Sequence, residues 1–216
     1  MALPILIEGP SGAGKSTSIR GFQVVQPPGV AVLAVEKPRL PFRSDIQVAR
    51  VPEAFPDART MAQMHRAQYE WILRAIQTAH YKSLVIDDSQ YLLTNELIDR
   101  AGERGYDKYV DIAKNFRDLV HGINRIPEDD KIVYFLHHSE IDADGRAKAK
   151  TIGRMLDEKL CLEGMYDIVL YCQDKKFYTQ ANGMSSAKSP IGMFEQVKIP
   201  NDLKLVDTAI RDYYGL

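Results

Sequence analysis

Residues 9–16 read Gly9-Pro10-Ser11-Gly12-Ala13-Gly14-Lys15-Ser16, with Thr17 following. The spacing G-x-x-x-x-G-K-[ST] suits a polyphosphate. Its glycines let the backbone turn tightly and aim successive N–H groups at one point. A helix opening directly after the loop adds partial positive charge. Lys15 would reach the β- and γ-phosphates of a nucleotide, and the Ser16 hydroxyl would ligate Mg²⁺.

Such a loop needs an acid at the end of a neighbouring buried strand to organise the metal. Ser83-Leu84-Val85-Ile86-Asp87-Asp88 offers two. Asp87 is the expected Mg²⁺ residue, acting through water. Asp88 either polarises an attacking water or caps the next helix. A third carboxylate ends the run Val30-Ala31-Val32-Leu33-Ala34-Val35-Glu36. Glu36 is read as a general base on water, or as a plain surface residue at a strand end. The rigid basic stretch Lys37-Pro38-Arg39-Leu40-Pro41-Phe42-Arg43 follows it. A further run, Lys131–Leu136, leads into His137-His138. Either imidazole could sense a γ-phosphate, but adjacent strand residues face opposite ways, so only one should do so. Their spacing does not suit a metal pair.

These residues must be held by strands and helices, and the periodicities supply them. Leu3–Ile7 is a short apolar run fit for a buried strand, and Ser16–Arg20 continues without a helix breaker. Apolar positions at near-3.6 spacing predict helices over residues 60–80 and 107–124, with Trp71 in the core or facing a partner. Strands are expected at 167–172 and 176–179, and a last helix opens at Pro200-Asn201. Alternating β and α units imply a mainly parallel sheet with helices on both faces, a three-layer α/β fold. Two polar stretches are read as loops. Residues 139–153, with Arg154 next, carry Arg146, Lys148 and Lys150, which could contact nucleic acid or a neighbouring subunit, or simply face solvent. Residues 181–192 carry Lys188, either a cation donated to a neighbour's γ-phosphate or an ordinary surface lysine.

Composition narrows the class. A chain of 216 residues is read as one domain over residues 1–216. With 28 basic and 29 acidic residues the formal charge is −1, so any nucleic-acid binding must come from local patches. No apolar run is long enough to span a membrane. The amino end lacks the basic region of a signal peptide. Two cysteines, Cys161 and Cys172, make neither a disulfide framework nor a four-ligand zinc site, and a reducing cytoplasm is expected.

The order Gly9–Thr17, Glu36, Leu84–Ser89 and Val133–His138 resembles the RecA-like core of P-loop ATPases. It is most similar to compact bacteriophage ATP-binding proteins of the RecA/AAA type, including core-only single-strand annealing ATPases. The tip Leu136-His137-His138, the region Lys176–Lys188 and the last helix Asn201–Tyr214 fit the same likeness. The resemblance implies ATP and Mg²⁺ as ligands, with Lys15 and Ser16 on phosphate and metal, Asp87 on metal and Glu36 as base. It further implies action on single-stranded DNA in recombination or replication, self-association, and contact with other recombination or replication proteins in a host cytoplasm. Asp87-Asp88 stands where AAA+ proteins usually carry Asp-Glu. No guanine-reading N-K-x-D is present. The wording GPSGAGKST also occurs in small nucleotide kinases, so a nucleoside or nucleotide kinase is the rival enzyme, and a helicase-loader type of ATP switch the rival binding module.

Overall fold

A computed structural model describes residues 1–24, 29–157, 160–181 and 183–216, and of residues 154 and 155 the backbone alone. The fold is α/β, a mostly parallel sheet between two helical layers. The core strands are β1 (Leu3–Gly9), β2 (Val30–Ala34), β4 (Ser83–Asp87), β5 (Ile132–Ile141) and β7 (Val169–Gln173), and all are apolar runs. Their interior residues are buried on both faces, as parallel strands covered by helices require. Three short strands flank them: β3 (Gln47–Arg50), β8 (Lys176–Tyr178) and β9 (Lys198–Pro200). The order is β3-β2-β4-β5-β1-β7-β8-β9, and β6 (Ala147–Ala149) pairs with the far end of β5. The β7–β8, β8–β9 and β5–β6 pairs are antiparallel.

Helices α1 (Met61–Thr78), α2 (Gln90–Asp99) and α3 (Asp107–Asn124) cover one face. There Ile72, Ile76, Phe116 and Val120 pack on Leu6, Ile86 and Phe135. The Thr60 hydroxyl caps α1 by accepting from Gln63 N. On the other face Ile19 and Phe22 join α5 (Leu203–Tyr214) over Ile7, Val85 and Leu170. Asp202 caps α5 through the amides of Lys204 and Leu205. A four-residue turn, α4 (Arg154–Asp157), lies beyond β6.

Four expectations from the sequence need correcting. The segment after the glycine-rich loop, Ser16–Val24, winds as a 3₁₀ helix. Its Ser, Thr, Ile and Gly are weak α-helix formers, and the Ser18 hydroxyl bonds back to the Lys15 carbonyl. The fourth run does not end at His137-His138 but continues to Ile141 as half of a hairpin. That hairpin replaces the loop expected over residues 139–153; Asp142 turns it, its carboxylate accepting from the amides of Asp144 and Arg146. The last helix begins at Leu203, because Pro200 ends β9 and the cap is Asp202. Among the described residues no helix is long and apolar enough to cross a membrane.

Candidate functional site

The loop between β1 and the 3₁₀ helix sits at the carboxyl edge of the sheet, where open α/β folds take ligands. Two glycines are sterically required there. A Cβ at Gly9 would stand 2.3 Å from the Cys172 carbonyl oxygen on β7, and Gly14 adopts φ +109°. The Lys15 ammonium donates to the carbonyls of Gly9 (2.8 Å) and Pro10 (3.0 Å), folding the side chain over the loop. Lys15 is buried, and burial lowers its pKa.

The loop meets the mid-chain acids directly. The Ser16 hydroxyl donates to Asp87 Oδ1 at 2.9 Å across 71 residues of sequence. Asp87 ends β4 and is buried. Burial first, then neighbouring Asp88, push its pKa up to about 6, against the Ser16 bond and Lys15. A hydroxyl and a buried carboxylate side by side are hard oxygen donors of the kind Mg²⁺ takes, with water and phosphate filling the rest. A cation there would also favour the ionised carboxylate that burial disfavours. The residues therefore fit the metal that the loop implies.

Past Asp87 the chain turns sharply, and Asp88 takes φ +61°. Non-glycine residues held in that region cluster at functional sites. Its carboxylate lies 3.4 Å from His138 Nε2, and the Tyr91 ring stands edge-on to His138 at 5.8 Å. The N-cap position of α2 is Ser89, one residue after Asp88, and its side chain makes no cap bond. Glu36 lies two residues beyond β2, and its Oε1 accepts from Asn95 Nδ2 on α2 at 2.7 Å. Glu36, Lys37, Asp88, Tyr91 and His138 line one cleft of about 290 Å³ with Ser11, Gly12, Gly14, Lys15, Ser16 and Thr17. A larger cleft of about 400 Å³ lies between α1 and α3, where Arg100 pairs with Glu96, Glu103 and Asp111.

Several sequence-derived candidates stand elsewhere. His137 is fully buried on the opposite face of β5. Its Nε2–H donates to the Lys150 carbonyl at 2.8 Å, its Nδ1 meets the Ser89 hydroxyl at 2.9 Å, and Phe116 packs on its ring. Burial drives its pKa down to about 4. It braces the hairpin, and only His138 reaches the cleft. Lys148 is taken up by Glu140 and Asp157, at 3.3 and 2.6 Å. Arg146 and Lys150 are exposed on the hairpin. The side chain of Arg154 is outside the described residues. Lys188 does not hang free on a loop, for its backbone exchanges two 2.8 Å bonds with Val169 of β7.

Sequence reasoning missed the supports on the β7 side. The Lys175 amide, in the tight β7–β8 turn, donates to the Ala13 carbonyl (3.2 Å), and Asn201 Nδ2 donates to the Gly14 carbonyl (2.9 Å). Cys172, thiol pKa pushed up to about 12 by burial, packs beneath with Sγ 3.5 Å from the Ala13 oxygen. No pattern in the sequence marks Asn95 or Asn201, because each acts through a contact distant in sequence.

A family model described as an AAA domain matches residues 1–191. No curated protein matches the chain. The matched span holds every residue of the cleft, and Asn201 with α5 lies beyond it.

Proposed function

The chain belongs to the AAA domain family of P-loop proteins, and on that premise we propose that it binds and hydrolyses ATP and acts on single-stranded DNA in recombination or replication. The observation that carries the ATPase reading is the 2.9 Å bond from Ser16 on the phosphate loop to Asp87 at the end of β4, beside a cleft that also holds Glu36, Asp88 and His138.

The residues divide the work as follows. Backbone amides of residues 11–17 and the Lys15 ammonium bind and orient the phosphates. Ser16 and Asp87 would hold Mg²⁺, which when bound neutralises charge on the β- and γ-phosphates. Glu36 is the base. Asn95 engages its Oε1, leaving Oε2 to take the proton of the attacking water. Water oxygen joins the γ-phosphorus, the bond to the bridging oxygen breaks, and ADP and phosphate leave. His138, oriented by Asp88, contacts the γ-phosphate.

The DNA part rests on the RecA-like order of motifs and the likeness to compact phage proteins. On this reading residues 1–216 act as one unit, self-associate, and meet other recombination or replication proteins in the cytoplasm. Purified protein should hydrolyse ATP in a Mg²⁺-dependent way, and single-stranded DNA should raise the rate. Lys15→Ala should abolish turnover. Turnover that requires a nucleoside or nucleoside monophosphate would instead select a kinase, and tight ATP binding without turnover a switch.

A further inference from the structure

We propose that the exposed face of β8 and β9 is the surface on which single-stranded DNA lies; this rests on the DNA part of the reading above. In the antiparallel register Tyr178 stands opposite Lys198, and Lys176 opposite Pro200, so these four share one face. Phe177 and Ile199 point the other way, into the core layer that holds α5. Lys176, Lys198 and Pro200 are exposed and Tyr178 is half-buried, so this end of the sheet meets solvent. The Lys198 ammonium stands 5.2 Å from the centre of the Tyr178 ring. Tyr171 backs that ring from β7 at 6.2 Å.

Among the described residues neither Lys176 nor Lys198 has a carboxylate partner, and neither does Lys175 in the adjoining turn. The hairpin lysine Lys148, by contrast, is neutralised by two acids. A polyanion meets free ammonium groups at lower cost than ones already paired. A half-exposed ring braced by a second ring is a stacking platform, and stacking accepts any base. A single strand offers both phosphates and open base faces, whereas a duplex hides its base faces and an acidic peptide has none. The same ribbon touches the nucleotide loop, since the Lys175 amide donates to Ala13 at 3.2 Å. Strand and nucleotide would thus lie on neighbouring parts of one rigid element.

Fluorescence anisotropy of a labelled oligo-dT, titrated with the full chain over a range of salt, tests this. Three variants are compared: Lys176→Glu/Lys198→Glu, Tyr178→Ala, and the hairpin pair Arg146→Glu/Lys150→Glu. The first should bind at least tenfold more weakly at low salt, with the log–log salt slope shallower by about 1.4, two phosphate contacts at about 0.7 each. Tyr178→Ala should lose about tenfold with the slope unchanged. Both should keep wild-type ATP affinity, which shows they are folded, and the hairpin pair should bind DNA as wild type does. If wild type binds and the β8–β9 variants bind equally well, this surface is wrong while the DNA reading survives. Loss confined to the hairpin pair also overturns it. If wild type fails to bind single strands at low salt, the DNA reading itself falls and takes this surface with it.

Discussion

The side-chain amide of Asn201 donates to the Gly14 carbonyl at 2.9 Å, tying the junction of β9 and α5 to the phosphate loop across 187 residues of sequence. Gly14 holds φ +109°, a conformation the loop needs so that its amides converge. Removing one hydrogen bond should cost about 1 kcal/mol of loop order, or about fivefold in affinity. Asn201→Ala should therefore weaken ADP and ATP alike by about fivefold and leave kcat nearly unchanged. Asn201→Asp, which sets a carboxylate against a carbonyl, should weaken both further. Calorimetric titration of the two nucleotides with steady-state kinetics reads this out. Equal affinities in all three proteins would remove Asn201 from the site.

The carboxylates Glu36 and Asp88 compete for the role of base. Glu36 has one oxygen engaged by Asn95, whereas Asp88 is turned towards His138. Glu36→Gln should keep ATP affinity and slow hydrolysis by about 10²-fold or more. Asn95→Ala should slow it less, by about tenfold, because it releases the base without removing it. Single-turnover hydrolysis decides the matter. Normal turnover in Glu36→Gln with loss in Asp88→Asn would transfer the role to Asp88.

His137 and His138 are neighbours in sequence with separate duties. His137→Ala would remove the bond to the Lys150 carbonyl, leave the Ser89 hydroxyl only the Leu136 carbonyl at 3.1 Å, and open a cavity beside Phe116, at about 2–4 kcal/mol. For a chain of this size that lowers the melting temperature by about 4–16 °C. Nucleotide affinity should not move. His138→Gln should do the reverse, keeping the melting temperature and cutting kcat by about tenfold. Thermal denaturation and kinetics on the two variants separate the roles.

The core strands and the approach of Ser16 to Asp87 were legible because their signals are local. Leu84–Asp87 is an apolar run ending in an acid, and Gly9–Ser16 is a loop whose chemistry is written in its spacing. Residues 107–124 form the predicted helix with no shift of either end. The short strands were not legible: β3 is Gln-Val-Ala-Arg and β9 is Lys-Ile-Pro, each too short for a period and stabilised by pairing with a distant partner. Period-two alternation places His137 and His138 on opposite faces but does not say which face carries the cleft. That is set by the side of the sheet on which Phe116 packs. Nor does spacing reveal Asn95 and Asn201, each 59 or more residues from the group it holds.

Glu8, one residue before the phosphate loop, should make the fold sensitive to alkaline pH. Its side chain is fully buried on β1, and among the described residues its Oε2 has no partner. Its Oε1 lies 3.2 Å from the Ser186 hydroxyl, which is also 3.5 Å from Glu163 Oε1. One hydroxyl proton cannot serve both carboxylates, so the arrangement closes when Glu8 keeps its own proton. Burial, then Glu163, raises the Glu8 pKa from 4.5 to about 8. Between those values the folded chain holds a proton that the unfolded chain releases, so rising pH favours unfolding. This contribution is fully present below about 4.5 and lost as pH approaches about 8. Glu8→Gln keeps a neutral donor in the same place and should abolish the loss. The wild-type melting temperature should therefore fall relative to the variant's from pH 5 to pH 8 and run parallel to it above that. Parallel curves throughout would mean that Glu8 is ionised in the fold.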